Sequence, residues 1–204
     1  MIDLTIPGAI VAFKYVDNQT NNALSSYAKH RMETTADYIT GGAWRKLWKK
    51  TNEKLKGKEI NKDPNIEFID EILEKTKLKT DDALLELWAS LLANALQGKN
   101  SIRREFFDIL EKINPFDVLM LNVAMDDQYL SCLKKADFSY GTDYNTEARY
   151  ISKFIADNHK IYDENEMFVS VRYLIQLGLF TENSKVLKFE LTPLGKSLKT
   201  ALTN

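Results

Sequence analysis

With 204 residues, 44% of them hydrophobic and 28% charged, the chain has the make-up of an ordinary globular protein, long enough for one large or two small domains, and not that of a disordered segment. The formal net charge is -1, with 15 Lys+Arg against 14 Asp+Glu up to residue 100 and 13 against 15 beyond it, so neither half is the polycation that advertises nucleic acid. A single cysteine, Cys132, cannot close an internal disulfide, which points to a reducing compartment.

In chain order, residues 6–39 are expected to form one or two helices, with Ala9, Ile10, Phe13, Val16, Thr20, Ala23, Leu24, Tyr27 and Ala28 along one face. No basic stretch, apolar run and small-residue cleavage site mark a signal peptide there. The longest apolar segment, Ile6 to Val16, is broken by Lys14 and is shorter than the ~20 residues of a spanning helix, so a soluble, cytoplasmic protein is expected. Gly41-Gly42 reads as a break. A helix over 43–56 then places Trp44, Leu47, Trp48, Thr51 and Leu55 on one side, and Arg45, Lys46, Lys49, Lys50 and Lys54 on the other against the single acid Glu53. Such a basic, tryptophan-bearing helix can lie on an anionic membrane or grip an acidic partner through Trp44, Arg45, Lys46, Trp48, Lys49 and Lys50. The plainer reading puts the tryptophans in the core and the lysines in water.

After a polar loop over 57–62, Asp63-Pro64 reads as an N-cap followed by a first helical residue, opening a helix with Ile66, Ile69, Ile72 and Leu73 on its apolar stripe. The strongest pattern in the chain comes next. Over 80–98, the residues Leu84, Leu87, Trp88, Leu91, Leu92, Ala95 and Leu96 follow helical spacing, Thr80 offers an N-cap, Asp81 and Asp82 suit the positive end of the helix, and Gly98 suits a left-handed stop. A short turn before this helix makes an antiparallel helical hairpin with its predecessor. A helix over 103–113 is expected to bury Phe106, Phe107, Leu110 and Ile113. Asn114-Pro115 with Asp117 repeats the capping signal for a Leu-, Met- and Val-rich helix over 115–125.

Residues 126–146 are irregular, with a short helix at 129–135, and a helix resumes over 146–158. Asp163 caps a helix holding Met167, Phe168, Val171, Leu174, Ile175 and Leu177 inward, which leaves Glu166, Val169, Ser170, Arg172, Tyr173 and Gln176 outward. Gly178 ends it, two short antiparallel strands follow around a turn at 182–184, and Thr192-Pro193 caps a last helix to about Leu202. This order is that of a winged helix-turn-helix. The expected fold is therefore mostly α: a helical domain over 1–100 with its helical hairpin, and a winged-helix domain over 101–204 with a small β-hairpin.

The runs Leu84-Leu-Glu-Leu-Trp-Ala-Ser-Leu-Leu-Ala-Asn-Ala-Leu96, Phe106 to Pro115-Phe-Asp117, Val171-Arg-Tyr-Leu-Ile-Gln-Leu-Gly-Leu179 and Leu191-Thr-Pro-Leu-Gly195 resemble, in that order, the abortive infection alpha family over roughly residues 60–202. The Leu-Trp-Ala-x-Leu-Leu-Ala-Asn core is the specific part, since the Leu-Thr-Pro-Leu-Gly ending recurs in many winged-helix proteins. The segment 126–146 departs from the family pattern as a long insertion. The resemblance implies a bacterial protein, of a kind often encoded on mobile or prophage-like DNA, that stops phage propagation. It carries over no catalytic residue.

The residues themselves hold no glycine-rich phosphate loop, no HExxH and no nucleophile elbow. His30 and His159 fall in separate helical regions, Cys132 reads as a small buried residue, and Asp126-Asp127 and Asp163-Glu164-x-Glu166 read as turn and cap. No enzyme activity, metal or cofactor is expected. The expected partner is a protein, phage-derived or a second copy of the chain. One alternative is a DNA-binding regulator touching DNA through Arg172, Tyr173, Gln176, Lys185 and Lys188, although Arg172 is the sole cation on its helix face and Glu164 and Glu166 oppose phosphate. The other is a membrane-surface effector using the Trp44 and Trp48 helix.

Overall fold

The computed structural model describes residues 38–61, 63–126, 164–183 and 188–203. The helices expected over 129–135 and 146–158, and all but the end of the 6–39 region, lie outside them. Within the described residues the chain is mostly helical, with seven helices and one pair of strands: α1 (Tyr38–Leu55), α2 (Ile66–Thr76), α3 (Asp82–Leu96), α4 (Arg104–Lys112), α5 (Pro115–Met125), α6 (Glu164–Gln176), β1 (Phe180–Asn183), β2 (Lys188–Leu191) and α7 (Pro193–Leu202). They fall into two compact units, one reaching Lys112 and including Thr200 onward, the other running from Ile113 to Lys199.

In the first unit, α3 is the centre. The helical spacing marks one apolar face, but Leu85, Ala89, Ser90, Ala93 and Asn94 are buried as well, so every residue from Leu87 to Leu96 is inside. The helix is sheathed all round because α1, α2 and α4 each pack against it. Its cap is Asp81 and not Thr80: the Asp81 carboxylate accepts the Ala83 and Leu84 N–H groups, both at 2.9 Å. The stop is as expected. Gly98 takes a φ of +69°, its N–H reaches the Ala95 carbonyl at 3.0 Å, and the Lys99 N–H reaches that of Asn94 at 3.1 Å, a double closure of the last turn.

Helix α1 buries Trp44, Leu47, Trp48, Thr51 and Leu55. It runs straight through Gly41-Gly42, so no break occurs there. Glycine only weakens a helix by about 1 kcal/mol per residue, and the buried tryptophan turn that follows outweighs that cost. Helix α2 starts two residues later than the Asp63-Pro64 signal suggests, because Asn65 supplies the cap through its carbonyl to the Phe68 N–H at 3.1 Å. Helix α4 buries Phe106, Phe107, Ile109 and Leu110. The Trp88 and Phe107 rings lie 6.0 Å apart, and Phe68 meets Phe107 edge-on at 5.5 Å. Asn94, fully inside, donates its side-chain N–H to the Ala201 carbonyl at 2.6 Å, which ties residue 201 to α3.

In the second unit, α5 packs on α6, and α6 on β1. The expected capping box is present: Asn114 accepts from the Phe116 and Asp117 N–H groups, and Asp117 accepts the Asn114 N–H at 2.9 Å. Ser170 departs from expectation. It is buried, not outward, because its hydroxyl donates to the other oxygen of the buried Asp117 carboxylate at 2.5 Å. Gly178, at φ +73°, closes α6 as Gly98 closes α3. Strands β1 and β2 pair antiparallel, Phe180 opposite Leu191 and Asn183 opposite Lys188. Thr192 caps α7 by accepting the Gly195 N–H at 3.0 Å while donating to the Gly178 carbonyl at 2.6 Å. A Cβ on Gly195 would fall on the Leu179 carbonyl oxygen, so the glycine of the Leu-Thr-Pro-Leu-Gly run is required by close approach.

Candidate interaction surfaces

The basic helix is the first candidate. Trp44 and Trp48 are 6% and 1% exposed, and the Trp44 indole N–H donates to the Leu73 carbonyl at 3.0 Å, so both rings belong to the core of the first unit. The lysines that line up with them are engaged. Lys46 meets Asp82 at 3.2 Å, Lys50 meets Glu86 at 3.1 Å and Lys54 meets Glu86 at 2.5 Å. The matched steps from 46 to 50 and from 82 to 86 mean that α1 and α3 run in the same direction. Burial pushes the Glu86 carboxyl up, but the hydrogen bonds from Lys54 and Lys50 outweigh it and hold it below its ordinary value of 4.5. Arg45 and Lys49 are exposed on the other side of the helix.

Sequence reasoning missed Asp82 and Glu86 as the partners of this basic face. The signal was available: lysines at 46, 50 and 54 and acids at 82 and 86 share a four-residue step, the interval at which helical side chains stack on one side. A second ladder joins α2 to α4. Arg104 reaches Glu67 at 2.7 Å, and Lys75 reaches Glu111 at 2.6 Å and Asp108 at 3.3 Å. The hydrogen bond to Glu111, assisted by Asp108, holds the Lys75 ammonium above its ordinary 10.5 against burial that pulls it down.

The second candidate is the outward side of α6. Glu166, Val169, Arg172 and Gln176 are exposed and Tyr173 is half-buried, while Ser170, Val171 and Leu174 face the interior. Val169 is 62% exposed, one of three large hydrophobic side chains left open among the described residues, with Leu78 and Ile66. Of the other residues proposed for DNA contact, Lys185 lies outside the described residues, and Lys188 opens β2 opposite Asn183.

Among the described residues, no group of three or more His, Cys, Asp or Glu side chains is placed to hold a metal ion, and no helix is long and apolar enough to cross a membrane. Cys132, His30 and His159 lie outside the described residues. Residues 43–201 match the model of a family described as abortive infection alpha. The chain matches no curated protein and no solved structure.

Proposed function

The chain belongs to the abortive infection alpha family, and from that premise we propose that it is a bacterial, cytoplasmic phage-defence protein that acts through protein–protein contacts and turns over no substrate. We read α2 and α3 as an antiparallel helical hairpin, and α6, the β1–β2 pair and α7 as a winged helix whose exposed helix face docks protein. The observation that carries the contact mechanism is the character of that face. An open valine sits among one acid, one amide and one arginine, a mixture suited to a protein surface and poorly suited to a run of phosphates, which calls for several cations.

The family suggests abortive-infection-type defence, and phage plating on cells with and without the gene tests it directly: the gene should lower plating, and unchanged plating across a panel of phages would remove the reading. The contact mechanism is tested by Val169→Asp, which should restore plating while the purified variant keeps its helical circular dichroism spectrum. A DNA-binding regulator would instead retard duplex DNA with strong salt dependence, and would lose that on Arg172→Ala with Lys188→Ala. A membrane effector would float with anionic vesicles, which the burial of both indoles of α1 disfavours.

A further inference from the structure

We infer that the outward side of α1 docks the phosphate backbone of a nucleic-acid duplex without reading its sequence. Arg45, Lys49 and Lys56 are exposed, and none of them enters an ion pair among the described residues. They differ in this from Lys46, Lys50 and Lys54, which the acids of α3 already hold. By helical geometry Lys49 stands about 40° round from Arg45, and Lys56 at the end of the helix returns by about 20°, so the three cations form one stripe roughly 16 Å long. The single acid of α1, Glu53, stands beside it and is exposed. Past the helix, the Asn61 N–H donates to the Leu96 carbonyl at 2.9 Å and ties the loop after α1 to the end of α3. Lys58 and Lys99 meet there. Burial, and then the Lys58 charge, hold the Lys99 ammonium below its ordinary 10.5, and no acid of the described residues pairs with either lysine.

The make-up of the stripe selects its occupant. A run of unpaired cations calls for a partner with closely spaced negative charge, and a duplex carries one phosphate per ~1.7 Å of its axis. Arg and Lys side chains grip those phosphates with no help from apolar contacts and without reference to the bases. An acidic protein fits less well, because protein interfaces are built on apolar and aromatic anchors and are poor in lysine, whereas this side of α1 exposes none of the former. A membrane surface would need the apolar side of the helix, and Trp44 and Trp48 are inside the first unit. A single strand would need open rings on which its bases could stack. The net charge of -1 brings no long-range attraction, so the contact is local and weak, with a dissociation constant on the order of 10 to 100 micromolar near 0.1 M salt. This inference is independent of the α6 face and of the plating test.

Fluorescence anisotropy of a labelled mixed-sequence DNA duplex, titrated with the full chain at a series of salt concentrations, tests this. Binding should weaken steeply with salt, with a slope of log K against log salt of about -3 to -4.5 for three to five phosphates neutralised. Arg45→Gln, Lys49→Gln and Lys56→Gln should each reduce that slope by about one, and Glu53→Gln should tighten binding. Because these four positions are exposed, the variants should keep the parent's thermal melt, and the gain in Glu53→Gln separates lost contact from lost folding. A duplex left unbound at the lowest salt, or bound equally well by the triple variant Arg45→Gln, Lys49→Gln and Lys56→Gln, overturns the inference. So does binding that is lost instead on Arg172→Ala with Lys188→Ala, or stripe-dependent binding of polyglutamate or phosphatidylserine vesicles as tight as that of the duplex. None of these results touches the proposed phage-defence reading, which stands or falls on plating.

Discussion

Removing the Trp88 indole takes away a ring with no solvent exposure that packs 6.0 Å from the Phe107 ring at the centre of the first unit. Trp88→Ala should cost ~3–5 kcal/mol, read as a lowered midpoint in urea. Among the described residues the indole N–H meets no acceptor, so Trp88→Phe orphans no hydrogen bond and should cost clearly less than the alanine. A loss as large in the phenylalanine variant would mean that the N–H has a partner. In the second unit, Gly195→Ala drives a methyl group into the Leu179 carbonyl oxygen, where backbone must move, and should lower the melting temperature of the chain, whereas Gly42→Ala, with open space around the added carbon, should not. Trp88 was legible in the sequence because helical spacing points a large apolar side chain inward. Ser170 was not: a hydroxyl suits either side of a helix, and its burial depends on an oxygen of Asp117, 53 residues earlier in the chain.

At the level of the helices, the ladder from Lys46, Lys50 and Lys54 to Asp82 and Glu86 makes the Glu86 carboxylate one contributor to the acid stability of the first unit. The Glu86 pKa is lower folded than unfolded, so its contribution is fully present above the ordinary value of 4.5 and is lost as pH falls through the depressed folded value. Glu86→Gln should flatten that part of a stability-against-pH curve, lowering stability at neutral and alkaline pH and converging on the parent curve at acid pH. Lys75 carries the opposite sign. Its raised pKa keeps its contribution whole below 10.5, and the loss comes only as pH rises through the folded value. The caps show where local pattern stops being decisive. Thr80 and Asp81 are both competent N-caps, as are Asp63 and Asn65, and packing, which sets where helical geometry begins, selects the second of each pair. Asp81→Ala should accordingly cost about 1 kcal/mol and Thr80→Ala much less, measured side by side in urea.

Taken whole, the chain declares its helical class and its family through apolar periodicity, capping residues and the Leu-Trp-Ala-x-Leu-Leu-Ala-Asn run, all of which are local signals. Which helices touch is not local. The tryptophans of α1 are enclosed as their helical spacing suggests, but its Lys46 and Lys50 read as solvated or free to bind until α3 supplies acids at the matching interval. The hydrogen bond from Asn94 to the carbonyl of Ala201 spans 107 positions, and both residues belong to the first unit. That unit therefore has a missing piece for most of translation. A nascent chain can assemble α1 to α4, but the amide of Asn94 waits for its acceptor until residue 201 has left the ribosome. A chain stopped after Lys199 would keep that vacancy for good, and pulse proteolysis should find it cut faster than the longer chain within 38–112.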